Sequence, residues 1–216
     1  TNSQGATNLG NDANGIFINS GAINTIGSAE AGSGNIIAFN SGDGIAVVGN
    51  AAFDNAILGN SIFFNSDLGI DLNADGVTPN DANDVDAGPN RLQNFTILQS
   101  ASSSNSTLVV GSLEATPDET YVIEIFASDN ADPSGHGEGQ FFLGAFEVTT
   151  DSDGLVEFSE SVLGDVSFGQ FVTATATLFT SEGTLLGTSE FSPAIEATAP
   201  IVLTNTNDSG PGSLRQ

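Results

Sequence analysis

Residues 71–86 read DLNADGVTPNDANDVD and set out oxygen-bearing side chains suited to a cation: Asp71, Asn73, Asp75, Asp81, Asp84 and Asp86. Asp71, Asn73 and Asp75 ahead of Gly76 match the opening of an EF-hand-like loop, where oxygen ligands alternate before a turn-forming Gly. The twelfth position is Ala82 rather than Glu, which excludes a complete EF-hand. Asp81, Asp84 and Asp86 are then the residues that would close the cage. Carboxylates this crowded repel one another unless a cation sits among them. The expected ion is Ca2+, a hard cation that takes six to eight oxygens. The competing reading is an Asx-rich turn whose carboxylates are solvated.

Other chemistry is sparse. The chain has no Cys, which removes disulfides, thiolate metal sites and thiol catalysis together. Its one His, His136, lies in SDNADPSGHGEG (128–139), which reads as a Gly-rich hairpin loop with solvated acids. Asp67 and Asp71 flank a Gly-Ile strand and could approach the ~5–9 Å separation of glycosidase carboxylates. No aromatic platform or cation stands beside them. Arg91, the candidate lyase base, falls at a domain junction, where pairing with the Asp cluster is expected. Catalysis is therefore not expected, and a polysaccharide lyase or hydrolase is the second alternative to a structural role.

Twenty-seven acidic residues face two cations, Arg91 and Arg215, for a net charge of −25. Such a surface repels phosphate backbones and anionic lipid, so neither nucleic acid nor a membrane surface is an expected partner. No apolar run approaches the ~20 residues of a membrane span. Abundant Asn, Gly, Ser and Thr with little charge suits a secreted protein of the bacterial cell surface. A chain opening on Thr rather than Met reads as a processed or excised piece of something longer.

The element that must position these groups is a repeat. NIIAFNSGDGIAVVG (35–49) and NSIFFNSDLGIDLN (60–73) align Asn35 with Asn60, Asn40 with Asn65, Gly44 with Gly69 and Ile45 with Ile70, all at an offset of 25. NGIFIN (14–19) starts a looser third copy. Three short apolar runs per period, punctuated by Gly and Asn, predict coils of a parallel β-helix stacked about 4.8 Å apart. Asn suits the corners because it tolerates left-handed backbone and can hydrogen-bond to the Asn of the next coil. SAEAGSG (28–34) reads as a corner loop lengthened in one coil.

From residue 91 the texture changes to about seven alternating runs, at 92–100, 106–115, 120–128, 140–150, 154–162, 171–180 and 189–197. This predicts an Ig-like β-sandwich over 91–197, after a β-helix with an Asp-rich terminal loop over 1–90. In VTATATLFT (172–180) the two-residue alternation predicts one buried face and one Thr face in water. Residues 198–216 add a spare strand, with Ile201, Val202, Leu203, Thr204, Asn205 and Thr206 as its assembly residues, then a Gly/Pro turn.

AGSGNIIAFNSGDGIAVVG (31–49), LGIDLNADGVTPNDANDVDAGPNRLQNF (68–95) and NDSGPGSLRQ (207–216) resemble the right-handed β-helix modules of giant secreted bacterial surface proteins, of the adhesin and fibre type. The resemblance implies a β-helix closed by a Gly-Ile-Asp-Leu strand and an Asp-rich loop, then an Ig-like domain. It also implies that TNTNDSGPGSLRQ begins a further β-helix. The chain departs from that pattern at Thr96, where Pro is expected. The fold class expected is all-β: a short right-handed parallel β-helix, an Ig-like β-sandwich and a C-terminal extra strand.

An unpaired strand invites a partner. Laid over the first coil of another copy, 201–206 would produce a head-to-tail polymer, because heterologous contacts that do not close propagate. The expected function is a non-enzymatic subunit or repeat module of an extracellular filament or adhesin, stabilised by calcium, with copies of itself as partners. The first alternative is a glycan-binding adhesin module. Against it, Tyr121 is the one Tyr and Trp is absent, which leaves little to stack on sugars.

Overall fold

The computed structural model describes residues 6–28, 30, 32–103 and 105–199; the predicted assembly strand, Ile201 to Thr206, lies outside the described residues. The fold is all-β. β1 (Ile16–Asn19), β2 (Thr25–Gly27) and β3 (Ile36–Ala38) form one coil, β4 (Ile45–Val48), β5 (Ala56–Leu58) and β6 (Ser61–Phe63) the next, and β7 (Ile70–Leu72) opens a third. They stack as three parallel sheets, β1-β4-β7, β2-β5 and β3-β6. Ile16 lies over Ile45 and Ile70, Ile26 over Ile57, and Ile37 over Ile62. The loop after β2 is the lengthened corner that the sequence suggests. Ile37, Ile45, Val47, Ile57, Ile62, Ile70 and Leu72 fill the interior.

Asn columns tie the corners together. Backbone N and Nδ2 of Asn24 donate to Asn55 Oδ1 at 3.1 and 2.7 Å, those of Asn35 to Asn60 Oδ1 at 2.9 Å each, and those of Asn40 to Asn65 Oδ1 at 3.2 and 2.7 Å. Each receiving Asn returns its Nδ2 to a carbonyl of the coil before it: Asn55 to Gly21, Asn60 to Ile26 and Asn65 to Ile37. To fit this ladder, Ile23, Phe39, Asp54, Gly59 and Phe64, each one residue ahead of a ladder Asn, take left-handed φ values of 56° to 63°. That conformation costs a residue with a Cβ about 1–2 kcal/mol, which the ladder bonds offset. The shared Oδ1 acceptors face the N-terminal side, and the backbone N–H groups that meet them face the C-terminal side. The stack is therefore polar.

The sandwich follows as β8 (Ile97–Ser103), β9 (Thr107–Glu114), β10 (Thr120–Ser128), β11 (Phe141–Thr149), β12 (Leu155–Val162), β13 (Phe171–Phe179), β14 (Leu185–Thr188) and β15 (Ile195–Glu196). A near sheet, β11-β10-β13-β14 with β15 also on β13, faces a far sheet, β12-β9-β8. Tyr121, Ile123, Ile125, Val172, Ala174 and Ala176 pack between them against Leu98, Val109, Leu113 and Phe158. The run expected at 92–100 starts as a strand only at Ile97, and the run at 189–197 keeps only β15. β14 has no counterpart among the predicted runs.

The Thr face of β13 is not wet. Thr173, Thr175 and Thr177 are at most 1% exposed. Alternation reports two unlike faces, and here the polar one lies on the end of the β-helix. Thr173 Oγ1 donates to the Glu138 carbonyl at 2.9 Å, and the hydroxyls of Thr177 and Thr188 meet at 2.8 Å.

Asn55 is wholly buried, whereas Asn24 is exposed. Asn55→Ala is expected to lower unfolding stability by about 2–4 kcal/mol because it strands buried donors and acceptors, and Asn24→Ala by less than about 1 kcal/mol. Urea denaturation of both variants tests this; equal losses would mean that the ladder is not what holds the coils.

Candidate functional site

The C-terminal end of the β-helix presents hydrogen-bond donors, and the sandwich meets them with acceptors. Glu138 Oε1 accepts Asn65 N and Nδ2 at 3.0 and 2.8 Å. Asn55 N donates to Asn90 Oδ1 at 2.9 Å, and Asn90 Nδ2 returns to the Asn55 carbonyl at 2.8 Å. Gly59 N donates to both oxygens of Glu124 at 3.1 and 3.0 Å. Leu72 N and Thr78 N donate to Oε1 and Oε2 of Glu190, both at 2.9 Å. The edge of β6 is closed by Gly139, which exchanges two 2.8 Å backbone bonds with Ile62, and that of β5 by Thr188 Oγ1, 2.9 Å from Ile57 N. A Cβ on Gly139 would lie 2.7–2.8 Å from the rings of Phe126 and Phe191, so a bare backbone is required there. Those two rings, with Phe142 packed on them, plug the coil interior.

Glu124, Glu138 and Glu190 are 0%, 8% and 2% exposed. Burial pushes each carboxyl up to about 7, while the N–H donors pull the other way. Among the described residues no cation pairs with them. Arg91, expected to pair with the Asp cluster, instead meets Asp54 at a coil corner, at 3.0 Å. Sequence reasoning missed all three caps. Glu138 lies in the stretch read as a solvated loop, and Glu124 on the alternate face of β10, where water is the default neighbour. Its one signal is a lone charge inside VIEIF.

The predicted cation ligands divide into two groups. Asp71, 4% exposed, closes a turn: its oxygens accept Asp75 N at 3.3 Å and Gly76 N at 3.0 Å, and Asn73 Nδ2 donates to Asp75 at 2.9 Å. This half is the Asx-rich turn. In the other half, Asp81, Asp84 and Asp86 each bring an oxygen within 4.8 Å of the other two. The loop is zipped beneath them. Asn80 and Phe95 exchange bonds of 2.8 and 3.1 Å, Asp81 and Asn94 exchange bonds of 3.0 and 2.7 Å, and Asn94 N donates to Asp84 Oδ1 at 2.9 Å.

Oδ1 of Asp81 and Oδ1 of Asp86 are buried without a hydrogen-bond partner. Burial, reinforced by the neighbouring Asp86 and Asp81, lifts Asp84 to about 7. An all-oxygen set with unanswered lone pairs suits a hard cation, and these three residues can coordinate one metal ion. A further acid, Asp43, was not read from the sequence. It is 6% exposed, accepts Leu68 N at 3.2 Å, and is raised to about 6 by burial and by Asp71 and Asp67.

No family model matches this chain, and no curated protein matches it. Among solved structures it is similar to the solution structure of CsgH from R. palustris, at 16% identity over 46% of this chain and 92% of that one, with a TM-score of 0.27. Superposition that weak carries no functional argument, and the site must be read from its own geometry.

The buried caps set a pH dependence. Glu124, Glu138 and Glu190 titrate near 7 in the fold and near 4.5 when unfolded, so their stabilisation is complete below the unfolded value and lost as pH rises through about 7. Asp84 and Asp43 act with the same sign. The thermal midpoint is expected to climb as pH falls from about 8 to about 5, with a smaller slope in Glu124→Gln. Circular dichroism melts check this; a midpoint that rises with pH over that window contradicts it.

Proposed function

We propose that this chain is a non-enzymatic building module of an extracellular bacterial surface filament or adhesin, joined head to tail by strand addition and stabilised by Ca2+. The observation that carries the reading is the polarity of the stack. Its donor end is capped within the chain. On the first described coil, Asn24 and Asn35 spend N and Nδ2 on the next coil, which leaves Oδ1 as the acceptor for a preceding one, and both are exposed, beside Leu9 (64%) and Ile23 (74%). A covering segment must bring apolar side chains and N–H donors together, as an added β-strand does.

The described chain runs out on the other side of the molecule. Thr198 N donates to the Ala101 carbonyl at 2.9 Å, and Thr198 bridges Ser102 of β8 in the far sheet. Ends of different chemistry favour a heterologous contact, which propagates. Residues 201–206 combine Ile, Val and Leu with Asn205, the composition that such a contact needs. The same contact serves separate copies or tandem parts of one longer chain. Ca2+ at Asp81, Asp84 and Asp86 would answer the orphaned oxygens of the loop, and divalent cations would lessen repulsion between copies of charge −25. The three Glu engaged as caps support a structural use of the buried acids rather than a catalytic one.

Electron microscopy and light scattering of the purified chain, in millimolar Ca2+ and in chelator, test the assembly. Filaments or concentration-dependent oligomers are expected with Ca2+, and monomers after deletion of 200–216. A monodisperse monomer under every condition would refute head-to-tail joining. For the ion, calorimetry is expected to register Ca2+ binding that Asp84→Asn weakens at least about tenfold, as loss of a charged ligand should. A wild-type chain that takes up no Ca2+ would remove the metal from the proposal.

A further inference from the structure

A cleft of about 300 Å³ lies between a β-helix corner and the loop after β10; Phe63 and Phe64 line one wall, and Asn130, Asp132, Pro133 and Glu138 the other. That volume is the lower end of what small-ligand sites use. Two rings line it, and a third, Phe39, packs against both. Phe64 lies 5.3 Å from Phe63 and 5.4 Å from Phe39, and Phe39 lies 5.9 Å from Phe63. Phe39 and Phe64 occupy the left-handed position ahead of a ladder Asn, which aims the side chain outward, and Phe64 is 48% exposed. The ladder demands the backbone there but not a ring: the same position holds Ile23, Asp54 and Gly59 at other corners. Two successive coils nonetheless place Phe at this one.

The opposite wall is acidic. Glu138 is more than nine-tenths buried; its Oε1 takes both ladder donors of Asn65, and the Phe64 backbone amide bonds to the same carboxyl. Asp132 is close enough for its charge to oppose ionisation of Glu138. Arg91, the described Lys or Arg, is held at Asp54.

We propose that this cleft binds the ammonium-bearing sugar of an amino-sugar glycan, with the ring against Phe64 and the ammonium directed at Glu138 and Asp132. Rings supply a face for the C–H surface of a pyranose and attract a cation through their quadrupole. Two neighbouring carboxylates with no protein cation favour a positive ligand over a neutral one. A chain of net charge −25 repels acidic sugars. The site does not depend on the assembly reading, since every residue in it belongs to one chain.

The probe is a glucosamine tetramer, compared by calorimetry and NMR with the N-acetylglucosamine tetramer, which keeps the ring and loses the charge, and with a galacturonic acid trimer. Binding of the glucosamine tetramer is expected, with the other two at least about tenfold weaker. Phe64→Ala, at an exposed ring, and Asp132→Asn, at a half-buried carboxylate that keeps its shape as an amide, should each weaken binding about fivefold without moving the thermal midpoint. Three results would overturn the proposal. They are no binding at millimolar glucosamine tetramer, equal binding of the acetylated form, and affinity unchanged in both variants, which would mark general attraction of a polycation to an acidic surface.

Discussion

A ladder of asparagines with a direction has to end somewhere, and the rest of this molecule is arranged around how it ends. Asn24, Asn35 and Asn40 each give two N–H groups to the coil that follows, so the last coil holds donors that no further coil accepts. A buried N–H without a partner costs as much as the bond it fails to make. Glu124, Glu138, Glu190 and Asn90 answer those donors, Gly139 and Thr188 answer the strand edges, and Phe126 with Phe191 answers the apolar interior. The sandwich is thereby the terminal coil of the β-helix in everything but backbone path, which explains why the Thr face of β13 is dry.

Carboxylates are well matched to this task. A Glu accepts two or more N–H bonds from positions that a backbone carbonyl cannot reach. At the donor end of a stack of aligned amides it also meets a favourable field, as an anion does at the N-terminus of a helix. The cost is desolvation, with no counter-cation among the described residues, and it raises the affinity of all three for protons. The junction is thus rigid but conditional on the charge state of a few acids.

The connector between the two parts shows a related economy of means. Reciprocal side-chain to backbone bonds, Asn80 with Phe95 and Asp81 with Asn94, zip the loop without a regular helix or strand. Zipping draws Asp81, Asp84 and Asp86 together against their own repulsion, and this arrangement is the physical basis for reading the loop as a cation site. In the first group, Asp71 has its oxygens answered by backbone N–H groups and Asp75 accepts the Asn73 amide, so the same need does not arise.

The architecture was legible because stacking forces equivalent corners to repeat the same residues: Asn40 and Asn65, Gly44 and Gly69, Ile45 and Ile70. Alternation in β9, β10 and β13 likewise marked the sandwich strands, since any half-buried strand must alternate. The nearness of Asp81, Asp84 and Asp86 to one another could be expected from their density along the chain. What the sequence could not reveal was what covers a face. The same Thr-x-Thr-x-Thr reads as wet until a β-helix sits on it. A Glu in VIEIF or in a Gly-rich loop reads as solvated until a coil end presents its amides. Two Phe a coil apart, Phe39 and Phe64, sit inside apolar runs of the sequence, yet the ladder turns them outward. Local pattern depends on each residue's own neighbours along the chain, whereas those three outcomes depend on contacts between positions up to 131 residues apart, as Ile57 with Thr188 are, and only the tertiary structure could decide them.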